Sequence, residues 1–252
     1  MNEQEFATMP IRRLFVRCTI PAMVGMGSSE FFISIAGSTF AVIMNVVLLR
    51  LGGSMAVAAI SIVEYVDSLM GMVIHSMVDA LQPAISYCFG AGLTRRMKRI
   101  QQAVMASSAA LSLMAMLFLL FGGQFLLPFF IKDGDTALYD MSLRAMRLFA
   151  LSYLVSWIER TLSGYMTAVE RPWHSLAISL LGTFLFPLLC MVVLVPLWQL
   201  DGIWILQFVA GVFGALAAIV IVRHVRIQPP SVARPSTLFQ PTPTINHRRK
   251  RI

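Results

Sequence analysis

Apolar residues in this chain occur in long runs that are separated by short polar or glycine-rich breaks. A bilayer with a ~30 Å hydrocarbon core needs apolar helices of about 20 residues, whereas a soluble helix is apolar on only one face. The pattern therefore predicts an all-α, polytopic membrane protein, a bundle of six transmembrane helices. The six predicted spans lie near residues 28–49, 54–87, 103–131, 141–168, 174–197 and 202–222.

Glycine, proline and charge mark the breaks between these spans. Arg50 is followed by Leu-Gly-Gly, and adjacent glycines permit a sharp reversal of the backbone. The segment GAGLTRRMKR at 90–99 is predicted to form a basic loop, and KDGDT at 132–136 a polar turn. The tripeptide ERP at 170–172 ends the fourth span, because the residue before a proline avoids the helical conformation.

The segments that flank the spans differ from them in composition. Residues 1–26 form a basic lead that lies at the membrane interface or extends the first helix. Residues 227–252 are rich in proline, serine and threonine and end in RRKRI. Such a segment buries too little apolar area to offset the entropy of ordering it. The sequence thus divides into this lead, a six-helix transmembrane lobe at 27–226 and a disordered basic tail.

Composition agrees with lipid as the solvent, and charge sets the orientation. Of 252 residues, 58% are hydrophobic and only 13% are charged, against about 25% charged in soluble domains. The formal net charge is +8, but the basic residues cluster at span ends, which indicates topology signals rather than nucleic-acid binding. Most fall on the side that holds residues 95–99, so both termini are predicted to be cytoplasmic, in a plasma or inner membrane.

Several classes of chemistry are missing from the sequence. The three cysteines are widely spaced in apolar surroundings, which does not suit a disulfide framework or a metal site. There is neither a GxxxxGK[ST] loop nor a nucleophile–base arrangement. We therefore expect neither an enzyme nor an ATP-driven pump, and no bound cofactor. A gradient of protons or sodium ions would have to drive any transport.

Carboxylates inside the apolar spans are the candidate functional groups. They cost several kcal/mol each to insert, so they persist mainly where they line a cavity or relay ions. Glu64 and Asp67 lie on one helical face, with Asp79 roughly on that face further along. Two neighbouring carboxylates favour binding of a proton or another cation. Glu30 and Glu159 are the candidates in the first and fourth spans.

These carboxylates also have structural interpretations. Glu30 can be an interfacial carboxylate in contact with water. The Glu64/Asp67 pair can be capped locally by the hydroxyls of its own helix, from Ser61, Tyr65 and Ser68. Neither interpretation requires a bound ion.

The other polar residues within the spans remain open to both interpretations. Glu159 and Arg160 point in different directions on a helix, so they can pair separately with neighbouring helices. Asn45 and Gln82 can coordinate a cation or bond across helices. His75 can titrate, or it can be packed and hydrogen-bonded.

Three segments of the chain resemble the second half of the multidrug and toxic compound extrusion (MATE) family. They are GSSEF at 27–31, residues 45–71 followed by 79–92 with the elements GG-x-x-AVAA and QPAISY-x-x-GAG, and SGYMTAVERP at 163–172. The resemblance implies one lobe of a cation antiporter built from two six-helix lobes. It also implies that Glu30 matches an acidic residue of the seventh helix used in cation coupling. By the same resemblance, Glu159 falls at a tenth-helix position that is often polar.

The resemblance to one lobe leaves two functional hypotheses. Residues 9–26 resemble the start of the family's first helix, which implies a truncated product, an internal deletion or a half-transporter that pairs with a second lobe or a second copy. The leading hypothesis is a cation-coupled antiporter that exports drugs or organic cations, with 17 Met and 17 Phe suited to varied lipophilic substrates. The alternative is a non-transporting membrane fragment or interaction subunit.

Overall fold

The computed structural model describes residues 10–131 and 135–225, which form helices and short turns. The α-helices are α1 (Ile11–Gly90), α2 (Thr94–Leu126), α3 (Thr136–Ala150), α4 (Tyr153–Ala168), α5 (Pro172–Leu180) and α6 (Phe186–His224). A 3-10 turn at Leu127–Phe129 follows α2, and a π-helical turn at Leu181–Leu185 joins α5 to α6. Among these described residues, three stretches are long and apolar enough to cross a membrane: Glu30–Gly90, Thr94–Phe129 and Pro172–His224. The predicted all-α membrane fold is confirmed.

The first helix consists of two arms that fold back on each other. Gly53 has φ 65° and ψ −160°, a conformation that is essentially restricted to glycine. Glu30 and Gln82 line the same cavity, although a straight helix would place them ~78 Å apart at 1.5 Å per residue. The chain therefore reverses at Gly53, as the glycine pair predicted. We call residues 11–52 α1a and residues 54–90 α1b.

The last helix reverses in the same way. Gln199 has φ 49° and ψ −121° inside α6. A methyl group built on Gly202 would collide with the backbone carbonyl of Leu194, a contact that a continuous helix could not make. We call residues 186–198 α6a and residues 200–224 α6b. The count of six spans stays a prediction, because length and composition alone delimit three membrane-crossing stretches.

Two buried clusters hold the helices together. One packs near the Gly53 and Gln199 reversals and contains Leu48, Met146 and Trp204, each at most 2% exposed. The other packs near the opposite turns and is made by Ile85, Met97, Met166, Ile178 and Ala218, with neighbours. Between the clusters, α2 buries a face with many small residues, which let membrane helices approach closely. That face is formed by Gln101, Val104, Ser108, Ser112, Ala115, Leu119 and Gly123.

Some helix boundaries differ from those predicted. The turn after α1 occupies only residues 91–93, so the basic cluster at 95–99 lies in the first turns of α2 rather than in a loop. Helix α3 begins at Thr136 because the Asp135 side chain accepts a hydrogen bond of 3.2 Å from the backbone N–H of Leu138. The predicted fourth span is also interrupted, at residues 151–152.

The flanking segments are described only in part. Helix α1 starts at Ile11, so the described part of the basic lead extends the first helix. Residues 1–9, the KDG of the predicted polar turn at 132–134, and the predicted tail at 227–252 lie outside the described residues.

Candidate functional site

Most of the predicted polar residues meet in one cavity of about 590 Å³. Helices α1a, α1b, α4, α5 and α6b and the π-helical turn all contribute to its wall. Its carboxylates are those of Glu30, Glu64, Asp67, Asp79 and Glu159, and the amide of Gln82 lies with them. These five carboxylates share the wall with the two basic side chains His75 and Arg160. The cavity therefore carries an excess of negative charge.

Asn45 lies outside this cavity. Its side chain is exposed, and it is not among the lining residues. The face of α1a that lines the cavity runs through Glu30, Ile33, Gly37, Phe40, Ala41 and Met44. Asn45 follows that face by one position, a rotation of about 100° around the helix. The structure thus separates Asn45 from the other candidates.

Asp67 is held by a partner that the sequence did not indicate. The buried Tyr153 hydroxyl donates a hydrogen bond of 2.6 Å to Asp67 Oδ1, which links α1b to the start of α4. A few turns further along α1b, Gln82 Nε2 donates to Asp79 Oδ1 at 2.9 Å. Two of the five carboxylates thus have a fixed orientation.

The proposed local caps on the Glu64/Asp67 pair are not formed by the serines. Ser61 donates to the backbone carbonyl of Val57 at 2.9 Å, and Ser68 to that of Glu64 at 2.8 Å. Both hydroxyls are thus satisfied by their own helix. The carboxylate of Glu64 is exposed to the cavity instead.

Arg160 and Glu159 point to different helices, as their adjacent positions predicted. The Arg160 guanidinium contacts Nε2 of His75 on α1b. A guanidinium has only donors, so the His75 ring is the acceptor in this contact. His75 is therefore hydrogen-bonded, and its charge is not needed to explain its position.

The Glu159 carboxylate occupies a space left open by two glycines. A methyl group on Gly182, in the π-helical turn, would collide with this carboxylate, and one on Gly214 would lie 2.9 Å from Oε2. Neither a hydrogen bond nor an ion pair to Glu159 is found within the described part of the chain. A π-helical turn is frequent at functional sites. We call Gly182, Gly214 and the space between them the glycine cradle.

Four hydroxyls extend this polar wall between α4 and α5. Ser163 Oγ lies 2.8 Å from Ser175 Oγ and 2.9 Å from Ser179 Oγ, and Thr167 donates to Ser175 at 2.9 Å. Along α4, polar positions recur every three or four residues, so they form one stripe on the cavity side. The stripe consists of Ser152, directly before the helix, and of Ser156, Glu159, Ser163 and Thr167 within it. Its spacing was readable from the sequence, although only Glu159 was singled out.

The chain matches a family model and solved structures. The model of the MatE family matches residues 31–192. A mutant of the Vibrio cholerae MATE transporter VcmN has a TM-score of 0.75 at 16% identity, covering 88% of this chain and 49% of that one. An outward-facing multidrug resistance MATE family transporter of the MOP superfamily has a TM-score of 0.76 at 14% identity, covering 85% and 47%. A search of curated proteins found no match.

A third match bears on the polarity of the binding pocket. It is a MOP superfamily transporter from Pyrococcus furiosus, described as having a binding pocket of reverse polarity that suggests a different function. Its TM-score is 0.73 at 15% identity, covering 88% of this chain and 49% of that one. Identities this low establish the fold alone. The chain spans about half the length of the solved structures that it matches.

The family match covers well over half of the 252 residues, and it includes four of the five cavity carboxylates. The match to the solved structure covers 88% of this chain and so includes most of the helical bundle. This chain belongs to the MatE family and has the fold of one half of a MATE transporter.

Proposed function

We propose that this chain is the cation-coupling lobe of a secondary antiporter that exports organic cations or lipophilic drugs in exchange for protons or sodium ions. The observation that carries the proposal is the convergence of five carboxylates from three helices on one cavity. Uncompensated carboxylates in surroundings of low dielectric constant attract a cation strongly. Within the described residues, Arg160 supplies the one guanidinium on the wall, so the five carboxylates outnumber the fixed positive charge there.

The driving cation and the substrate compete for the same negative charge. Glu30 and Glu64 are exposed to the cavity and reach a ligand first, whereas Glu159 lies in the glycine cradle. Apolar parts of a substrate contact Phe40 and Met44, further along the face of α1a that carries Glu30, and Met adapts to varied shapes. Filling of the carboxylates by protons or sodium ions then releases the substrate.

A second lobe is part of this proposal. Glu30, Glu64 and Asp79 are exposed on this lobe, and facing them toward lipid would cost several kcal/mol each. A second lobe, from another chain or a second copy, would cover the carboxylates and complete the pathway. The protein would lie in a plasma or inner membrane with both termini cytoplasmic, as the basic residues favour.

The alternative, a non-transporting fragment or interaction subunit, is favoured by one observation. The contacts Tyr153–Asp67 and Arg160–His75 both join α1b to α4. Polar bonds of this kind hold membrane helices together without any transported ion.

Efflux from proteoliposomes tests the proposal. Glu30→Gln keeps the shape of the side chain but removes its charge, so gradient-driven drug efflux should fall at least about tenfold while insertion is unchanged. Efflux is compared between the original chain and this variant, each with and without an imposed proton or sodium gradient. Asn45→Ala is the matched control, since Asn45 is exposed on the same arm but outside the cavity.

The outcomes separate the two hypotheses. Equal gradient-driven rates for Glu30→Gln and the original chain would remove Glu30 from the mechanism. If proteoliposomes in which two lobes have assembled show no efflux, the hypothesis of a non-transporting interaction subunit is supported.

A further inference from the structure

A second cavity, which we call the outer pocket, lies between α3 and α6 and has a volume of about 550 Å³. It shares no residue with the carboxylate cavity. Its polar wall is made by Asp140, Arg144, Arg147 and Asp201, next to Trp198. Small-molecule sites commonly have volumes of about 300–1,000 Å³ with a few well-placed polar groups.

The charges of the outer pocket are only partly paired. Asp140, Arg144 and Arg147 project from one face of α3, at positions i, i+4 and i+7. Arg144 forms an ion pair with Asp201 of α6b. Asp140 and Arg147 form no ion pair within the described residues. As far as the structure describes the chain, the pocket thus offers one anion and one cation without an ion-pair partner, about 10 Å apart along the helix at 1.5 Å per residue.

The residues around the outer pocket are of the kinds expected where a bilayer changes from hydrocarbon to water. Asp201 and Trp198 flank the reversal at Gln199, where α6a ends and α6b begins. The Trp198 side chain is 56% exposed, and tryptophan is enriched at membrane interfaces. Because Arg144 pairs with Asp201, the polar face of α3 lies at this same level, with Arg147 one turn deeper. Arginine at such a depth extends its guanidinium toward the headgroups.

We propose that the outer pocket binds the headgroup of a zwitterionic phospholipid of the phosphatidylethanolamine type. The phosphate is bound by Arg147 and the ammonium by Asp140, while Leu143, Leu148 and Ile205 contact the glycerol and the first acyl carbons. Arginine matches phosphate oxygens in two-pronged geometry. The charges of the four ionised groups sum to zero. An anionic headgroup would be attracted by Arg147 but repelled by Asp140, whose charge no ion pair offsets among the described residues. The proposal is independent of the cation-coupling function.

Native mass spectrometry of the purified full chain tests this site with phosphatidylethanolamine and phosphatidylglycerol. The original chain should retain phosphatidylethanolamine more strongly. Arg147→Gln should weaken that retention about tenfold, since it removes one charge-assisted contact. Asp140→Asn should weaken retention of phosphatidylethanolamine but not of phosphatidylglycerol. Arg50→Gln is the matched control, since Arg50 is exposed near the reversal at the same end but outside the pocket.

Three outcomes would overturn the proposal. One is equal retention by the original chain, Arg147→Gln and Asp140→Asn, provided that all three elute as single folded species. Another is stronger retention of phosphatidylglycerol by the original chain. The third is displacement of the lipid by equimolar soluble glycerophosphoethanolamine, which would show that the pocket takes a free phosphate compound rather than a lipid.

Discussion

In the glycine cradle, one added methyl group would collide with a charged side chain. Gly182 and Gly214 belong to different segments of the chain, and each leaves room for the same carboxylate. Glu159 was predicted as a candidate from its position within an apolar span. Its cradle could not be predicted, because the glycines are distant in sequence and nothing local marks them as its neighbours.

Gly182→Ala is expected to weaken cation binding about tenfold or more, as second-layer changes do at metal sites. The added methyl would displace the Glu159 carboxylate, whereas helical structure would persist because alanine favours it. Isothermal titration with sodium, or proton release on binding of substrate, measures the effect in the assembled protein.

Gly37→Ala provides the comparison for that experiment. It also adds a methyl group to the cavity wall, but this methyl would lie 3.7 Å from Thr183 Cγ2, an ordinary contact. Unchanged affinity in both variants would show that the cradle does not position Glu159 for a cation.

Other site features also divide into those that follow from helical spacing and those that depend on contacts between distant positions. The Glu64/Asp67 pair and the polar stripe on α4 follow helical spacing, so the sequence contains them. The Tyr153–Asp67 bond joins positions that are 86 residues apart. Such a contact depends on how α4 packs on α1b, and a single sequence does not encode it in any local pattern.

At the scale of helices, the backbone reversals define the elements. The Gly52-Gly53 pair predicted the first reversal, because two glycines favour unusual backbone angles. The second reversal, at Gln199, carries no such signal, since a non-glycine residue adopts a positive φ there. The break at residues 151–152 also lacks a glycine or proline, so the fourth span was predicted to be continuous.

Gly53→Ala should destabilise the protein by about 1–3 kcal/mol, since its φ and ψ are strained for any residue with a side chain. Gln199→Gly should have the opposite sign, because it removes strain at the equivalent position of α6. Thermal unfolding in detergent, followed by circular dichroism, measures both. Equal melting temperatures for the two variants would mean that the reversals carry no strain.

At the scale of the whole molecule, the fold was predictable because lipid imposes long apolar runs with polar ends. The orientation in the membrane is a prediction that rests on the basic residues alone, and it leads to a direct test. Lys98 and Trp173 follow the turns at one end of the bundle, and Thr136 starts α3 at the other end. All three side chains are exposed.

Single cysteines at these positions, in a chain without its native cysteines, are expected to label asymmetrically. Lys98→Cys and Trp173→Cys should react with an impermeant maleimide only after the cells are permeabilised, whereas Thr136→Cys should react from outside. The reverse pattern would invert the topology. Mixed labelling at one position would mean that the chain inserts in both orientations.

The depth of Glu159 determines how much of the membrane potential a cation crosses to reach the glycine cradle. At 1.5 Å per residue, Glu159 lies about 14 Å from the end of α4 at Ala168, roughly half the ~30 Å thickness of the hydrocarbon core. A monovalent cation that reaches the cradle from either side then crosses about half of the membrane potential. That step corresponds to about 1.1 kcal/mol per 100 mV, half the value for a full crossing. Under the proposed cation coupling, the resting voltage of the cell, and not concentration alone, would therefore set how often a cation occupies this carboxylate.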